Sequence, residues 1–357
     1  RTWQGGTSLS IMEVWNQVIG KKVVEDVFST SGILLVPAAT TITAEHVALL
    51  EKHGIFLTAD DVTDAEPSAP PEPSASARPS QTQIALDEAE RQAGALFEGI
   101  RGSNNVPVDE LRSEVIPMVH EVAVSSGLFD LFSELQAKDD YTYRHNIAVG
   151  MISTMIGKWM GLPEQDLMQL TTAGLLHDVG KMQIPEEILS KPGKLTEEEF
   201  ALMKQHTVFG YELLRNTPGI TEQQALVALR HHERLDGSGY PSGLKGDEID
   251  LFSRIVAVAD IFHAMSSPRA YRDASAFHEV LYQLSSDAYS ALDPAITGLF
   301  IQKIMQSMIG QKVQLTNQQQ GTVVLVHQHD PLHPLVQIGD AYVDLSKTRT
   351  VKIEKIL

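Results

Sequence analysis

Two stretches of this 357-residue chain concentrate side chains that can hold metal ions. The first is Leu175-Leu176-His177-Asp178-Val179-Gly180-Lys181. A His and an Asp side by side at the end of an apolar helix can both reach one ion if the last turn is wound suitably. Lys181, four residues after His177 and three after Asp178, returns to the same side. An ammonium group there can bind a phosphate or protonate a departing oxygen. The second stretch is Arg230-His231-His232-Glu233-Arg234-Leu235-Asp236-Gly237-Ser238-Gly239-Tyr240-Pro241. Two adjacent histidines close a helix, and a glycine-rich loop follows. Gly237 and Gly239 allow positive φ and close backbone approach to a ligand. Tyr240 can pack on a base or hydrogen-bond a phosphate, and Pro241 stiffens the exit. Glu233 and Asp236 are read as shaping this loop. Three single residues complete the set: His145 on an otherwise apolar helix, His206 after an amphipathic helix, and Asp260 inside the apolar run Ile255 to Phe262. A lone His on such a face is ordinarily a satisfied core residue. An Asp in so apolar a run is costly to bury unless it is paired or metal-bound. Five His and two Asp suit two divalent ions with one Asp between them.

Composition narrows the choice. The chain has no cysteine and 13 histidines, so thiolate sites, iron–sulfur clusters, cysteine nucleophiles and disulfides are excluded, and a transition-metal centre must use imidazole and carboxylate. Lys plus Arg is 28 against 46 Asp plus Glu, a formal charge of −18, which makes the chain a poor non-specific binder of polymeric nucleic acid or anionic membrane. There is no run of about 18 apolar residues and no signal-peptide pattern, so a cytoplasmic protein without a membrane span is the expectation.

The elements that must position these residues fall into four segments. Residues 1–63 read as a small α+β accessory unit. Within it Val23 to Phe28, Ile33 to Val36 and Ile55 to Leu57 are expected as strands, and Thr43 caps a helix through His53. Residues 64–80 are dominated by Pro, Ser and Ala and cannot bury enough apolar surface to offset their ordering entropy, so a disordered linker is expected. Residues 81–310 carry apolar residues at helical spacing throughout. Helices are expected over 84–100, 108–124, 128–135, 143–160 and 164–177, from Thr196 with a Glu199 capping box, and over 222–232, 251–265, 276–286 and 294–308. Residues 311–357 read as a small β unit with strands at 313–315, 322–327, 335–338 and 342–345. The fold class is therefore mainly α, with small terminal units that contain strands.

The motifs and their order resemble the HD-GYP family, metal-dependent phosphodiesterases of bacterial cyclic dinucleotide signalling. The resemblance runs from about Leu128 to Met308 and rests on segments 139–145, 175–181, 188–200, 204–210, 230–249 and 253–262. It implies an all-helical HD-type catalytic core over 128–310. His145, His177, Asp178 and Asp260 would hold one ion, and Asp178 would bridge to a second held by His206, His231 and His232. The division of the last two histidines between the ions stays open. The resemblance makes Lys181 the active-site lysine, places Gly239 and Tyr240 on the substrate side, and makes Arg269 and Arg272 phosphate contacts, a role that suits a guanidinium fork. It implies iron or manganese as the ions and cyclic di-GMP as substrate, with a mixed cyclic GMP–AMP as the close variant, attacked in line by water activated between the ions. A homodimer, or a signalling protein bound through the N-terminal unit, is the macromolecular partner left open.

Two departures from the family pattern bear on this. Some members hold a third metal through a Glu four residues before the first histidine, where this chain has Tyr141, so two ions and linear pGpG rather than GMP are expected. The family's DxxDA reads here Asp260-Ile261-Phe262-His263-Ala264, with His263 in place of a carboxylate. That replacement keeps alive a catalytically weak or inactive nucleotide-binding module. A di-iron oxygenase on the same helical frame is the third reading, disfavoured by the loop and the arginines.

Overall fold

The computed structural model describes residues 15, 18–29, 34–38, 40–58, 61–63, 81–103, 105–125, 142–266 and 277–357. Its contacts divide the chain into two compact units. One is made of residues 1–77 together with 308–357, and the other is residues 78–307. The expected linker 64–80 lies outside the described residues, as does the expected helix at 128–135.

In the first unit, β1 (Lys22–Val23) pairs antiparallel with β4 (Val62–Thr63), and β2 (Val27–Phe28) with β3 (Leu34–Val36). The single strand expected over 23–28 is thus two. Asp26 explains the break, because its side chain accepts from the Ala38 backbone N–H at 2.6 Å and draws the chain out of the strand direction. The expectation of a strand at 55–57 is corrected: Ile55 to Leu57 pairs with nothing in a sheet, and Val62–Thr63 supplies the partner of β1. Helix α1 (Ala44–Lys52) is capped by Thr43, whose hydroxyl accepts from the His46 N–H, and Gly54 follows its end at φ +67°. Val18, Val36, Ile42 and Leu50 form the buried centre of this part. The C-terminal residues make a five-stranded antiparallel sheet in the order β8-β7-β6-β5-β9, from β5 (Lys312–Leu315), β6 (Gln320–His327), β7 (Asp330–Ile338), β8 (Ala341–Asp344) and β9 (Ile353–Ile356). The sequence pattern does not reveal the last strand. Ile353 and Ile356 flank Glu354 and Lys355, too short a pattern to show period two.

The second unit is helical. Its labelled helices are α2 (Gln81–Ser103), α3 (Ile116–Ser125), α4 (Thr142–Trp159), α5 (Glu164–Leu176), α6 (Glu197–Lys204), α7 (His206–Arg215), α8 (Glu222–Arg230), α9 (Leu251–Ser266), α10 (Phe277–Asp287) and α11 (Pro294–Ser307). Ahead of α3 the helix widens into one π turn at Leu111–Val115, just before Pro117, which has no N–H to continue an ordinary ladder. Thr196 and Thr221 each start a helix with a reciprocal capping box, through Glu199 and Gln224.

Helices α4 and α5 pack most closely, along glycines. A Cβ on Gly174 would lie 2.8 Å from the Gly150 Cα, and one on Gly157 would lie 2.9 Å from the Leu167 and Leu170 methyls. That seam sets the distance between the start of α4, which carries His145, and the end of α5, which leads into His177. Helix α9 packs on α4 as well, and Val256, Val258 and Phe262 are fully buried around Asp260. Among the described residues no helix is long and apolar enough to cross a membrane.

Candidate metal centre

Most of the motif residues sit where helices begin or end. His145 lies in the first turn of α4, His177 caps the C-terminus of α5, and Asp178 follows it. Lys181 belongs to the 3₁₀ turn Val179–Gln183. His206 is the first residue of α7, His231 caps the C-terminus of α8 with His232 next to it, and Asp260 lies on α9. The turn after Asp178 is pressed against the start of α7. A Cβ on Gly180 would stand 1.9 Å from the His206 carbonyl oxygen and 2.4 Å from the Gly210 nitrogen, so only glycine fits. This contact brings His206 to Asp178.

Three imidazoles are aimed by backbone carbonyls three or four residues before them. The Nδ1 atoms of His177, His206 and His231 lie 2.8, 2.7 and 3.0 Å from the carbonyl oxygens of Gly174, Met203 and Val227. A carbonyl can only accept, so each Nδ1 carries the proton and each Nε2 presents a lone pair. These lone pairs converge on Asp178. His177 Nε2 is 3.2 Å from Oδ2, while His206 Nε2 and His231 Nε2 are 3.3 and 3.7 Å from Oδ1. The His206 and His231 Nε2 atoms face each other at 3.5 Å. His145 Nε2 completes the other side, 3.7 Å from Asp178 Oδ2 and 3.2 Å from Asp260 Oδ1. Donor atoms from His145, His177 and Asp178, and from Asp178, His206, His231 and His232, each lie within 4.8 Å of one another. His177 Nε2 and Asp178 Oδ1 are buried without a hydrogen-bond partner. The Nε2 lone pairs of His177, His206 and His231, which face one another and the Asp178 oxygens with no proton between them, are what cations sharing Asp178 would satisfy. The donor set is all nitrogen and oxygen, which fits divalent first-row ions.

Electrostatics agree with that fit. Burial pushes His145 and His206 down, His231 well below the usual imidazole range, and His232 down to about 3. His177 goes the other way, because the adjacent Asp178 carboxylate outweighs its burial. Burial would raise Asp178 and Asp260, yet both are held well below the usual carboxylate range. Lys181 and His177 do this for Asp178, and His145 with His177 for Asp260. At neutral pH both carboxylates are therefore ionised and most of the rings are neutral, the protonation states of metal ligands. Lys181 Nζ stands 2.5 Å from Asp178 Oδ2 and remains partly open to solvent.

The loop after His232 is fixed from beneath. Glu233 is 2% exposed and its two oxygens accept from the Ser242 and Leu244 backbone N–H groups at 2.7 and 3.0 Å. Asp236 accepts from both the backbone and the hydroxyl of Ser238. Gly237 has φ +83°, and a Cβ on Gly239 would fall 2.4 Å from the His232 carbonyl oxygen. The Tyr240 ring lies 4.7 Å from the His232 ring at an interplanar angle of 30°. Burial pushes its phenol up, so the hydroxyl stays protonated and can donate.

Arg269, Arg272 and Tyr141 lie outside the described residues. Two features escape sequence reasoning. The Gly150–Gly174 and Gly180–His206 contacts leave no periodic signal, since nothing marks which glycines of the 25 are seams. His263, legible only as a missing carboxylate, places its Nδ1 3.0 Å from that of His145.

A helical frame with a His/Asp centre of this kind defines the HD class. The family model for the HD domain matches residues 130–296. Several curated proteins are similar to this chain, three of which show the range. Cyclic di-GMP phosphodiesterase PA4108 of Pseudomonas aeruginosa is 31% identical over 276 residues, 73% of this chain and 66% of that protein. A cyclic di-GMP phosphodiesterase of Thermotoga maritima is 42% identical over 179 residues, 49% of each. The 3'3'-cGAMP-specific phosphodiesterase 3 of Vibrio cholerae is 38% identical over 160 residues, 45% of this chain and 35% of that protein. Among solved structures, Bd1817, a HDG"Y"P protein from Bdellovibrio bacteriovorus, superposes with a TM-score of 0.50 at 15% identity, over 80% of this chain and 95% of that one, a likeness of fold. The chain thus carries an HD domain over residues 130–296. It spans from about a third to about two thirds of the length of these three curated relatives.

Proposed function

We propose that this chain is a metal-dependent phosphodiesterase of cyclic dinucleotides. The substrate we assign is cyclic di-GMP, with a mixed cyclic GMP–AMP as the close variant, and the product linear pGpG. The observation that carries the reading is Asp178, whose two oxygens each face the Nε2 lone pairs of a different histidine set. The names of the relatives, which cover both cyclic di-GMP and 3'3'-cGAMP phosphodiesterases, support the substrate class.

In this reading His145, His177, Asp178 and Asp260 hold one ion, and Asp178, His206, His231 and His232 the other, with iron or manganese the metals we favour. Bound there, two divalent ions lower the pKa of water and neutralise phosphate oxygens. The chain's own groups do the rest. The carbonyl anchors hold His177, His206 and His231 in the ligating tautomer without further reorganisation. Lys181 supplies positive charge at the solvent side of Asp178, where charge develops on the departing 3′ oxygen. Tyr240, protonated and seated against His232, donates to or packs on the nucleotide, on a loop that Gly239 lets fold back against the His232 carbonyl. Arg269 and Arg272 complete the phosphate contacts. Residues 81–310 carry the chemistry, and the N-terminal unit serves sensing or partner binding.

Replacement of the family carboxylate by His263 favours one competing reading, a binding module with little turnover. Metal analysis combined with product chromatography separates the two. About two ions per chain and pGpG from cyclic di-GMP support the enzyme. Tight binding of the nucleotide without hydrolysis, in the presence of Mn²⁺ or Fe²⁺, overturns it. Asp178→Ala should remove metal and activity together.

A further inference from the structure

We propose that His263 is a positioning residue that sets the tautomer of His145, and that it differs in kind from the anchors of the other ligating rings. The inference rests on the metal-centre reading and concerns only the half that contains His145. His145 on α4 and His263 on α9 are both almost fully buried, 3% and 4% exposed, and their Nδ1 atoms are 3.0 Å apart. Two imidazole nitrogens at that distance share one proton, so one ring donates and the other accepts. His145 can present a lone pair from Nε2 only if its Nδ1 is the donor and His263 Nδ1 the acceptor.

The opposite arrangement is also available, and this separates the pair from His177, His206 and His231. Those rings donate to carbonyl oxygens, which cannot return a proton. His263 can either accept or donate. With His263 Nδ1–H donating to His145 Nδ1, His145 carries its proton on Nε2, where Asp260 Oδ1 accepts at 3.2 Å. That form pairs both His145 nitrogens through hydrogen bonds. Ion uptake then moves the His145 proton from Nε2 to Nδ1 and the His263 proton from Nδ1 to Nε2, with one proton on each ring throughout and no net charge gained. A carboxylate in place of His263 accepts only, so it would hold His145 permanently in the ligating form. His263 makes this half of the centre choose between Asp260 and an ion.

The test compares native protein with His263→Phe and His263→Asp, using Zn²⁺ as a diamagnetic probe. The phenyl ring keeps the volume but offers no acceptor, and the carboxylate accepts without donating. Equilibrium dialysis should show His263→Phe losing ten- to a hundredfold in affinity for one of two ions, the usual scale for removing a ligand's hydrogen-bond partner. His263→Asp should bind that ion at least as tightly as native protein. The second measurement needs no variant: long-range ¹H–¹⁵N spectra of histidine-labelled native protein should show a protonated His145 Nδ1 and an unprotonated His263 Nδ1 once Zn²⁺ is bound. Equal affinity of native and His263→Phe proteins for two ions, or a protonated His263 Nδ1 in the loaded protein, overturns the proposal and leaves the metal centre standing. Native protein that takes up no Zn²⁺ overturns the metal centre itself, and the role of His263 with it.

Discussion

Gly180→Ala isolates the contact that brings the two halves of the centre together. The added methyl would stand 1.9 Å from the His206 carbonyl oxygen and 2.4 Å from the Gly210 nitrogen, both backbone atoms that no rotamer change can remove. To restore ordinary separation the start of α7 must retreat by about 1 Å from the Asp178 turn. His206 Nε2 now lies 3.3 Å from Asp178 Oδ1, and metal ligands tolerate only about 0.2 Å of misplacement. Two effects should appear together. Overpacking of this kind costs about 1–3 kcal/mol, which for a helical unit of this size lowers the melting temperature by about 2–12 °C. The ion on the His206 side should bind at least about tenfold more weakly. Calorimetry on metal-free protein and Mn²⁺ titration of the same preparation measure both. Gly99→Ala and Gly298→Ala are the controls, since neither methyl meets anything within 4 Å. Both lie inside helices, where alanine is favoured by about 0.5–1 kcal/mol. A Gly180→Ala protein that melts like native and binds two ions at native affinity would refute the steric argument.

Three further outcomes are expected. Glu233→Gln should leave both ions bound but loosen the loop it holds through Ser242 and Leu244, raising KM several-fold with a smaller change in kcat; loss of metal instead would place Glu233 in the centre. Lys181→Met should retain both ions and lower kcat about 10²–10⁴-fold, and unchanged turnover would remove Lys181 from the chemistry. Metal-free protein should lose stability as pH falls below about 6.5, because the unfolded chain protonates histidines that burial holds neutral in the fold. With His232 pushed down to about 3, that ring alone accounts for a loss on the order of 2 kcal/mol by pH 5. His177, which is raised, opposes this, and the depressed Asp178 and Asp260 lose their contribution only below about pH 4. Urea midpoints in chelator at pH 7 and pH 5 decide it; equal midpoints would contradict the neutral-imidazole assignment.

The helices are legible in the sequence where side-chain period and caps agree. Thr196 with Glu199 marks the start of α6 by residue type and spacing alone, and the apolar run around Asp260 identifies a buried helix with an ionisable group inside it. The short strands of the first unit are not legible, because Asp26 and the pairing of residues 22–23 with 62–63 depend on contacts distant in sequence. Within the centre, adjacency makes His177–Asp178 and His231–His232 readable. Which atoms could face an ion depends on where each ring leaves its proton, and that is set by the Gly174, Met203 and Val227 carbonyls and, in the proposal above, by His263. None of these announces itself in a one-dimensional pattern.

The anchoring of the rings has a consequence for how the centre comes into being. His177, His206 and His231 take their aim from carbonyls three or four residues away, and the half in which the His206 and His231 Nε2 atoms face each other draws its ligands from the stretch Asp178 to His232. That half can be assembled from one contiguous stretch of chain. The half containing His145 closes across 118 positions and needs α9 docked on α4. Non-local contacts of that length form late, after the entropy of the intervening loop has been overcome. On the two-ion reading proposed above, a folding chain would acquire the site for one ion before that for the second, and occupancy of the second would report that the bundle has closed.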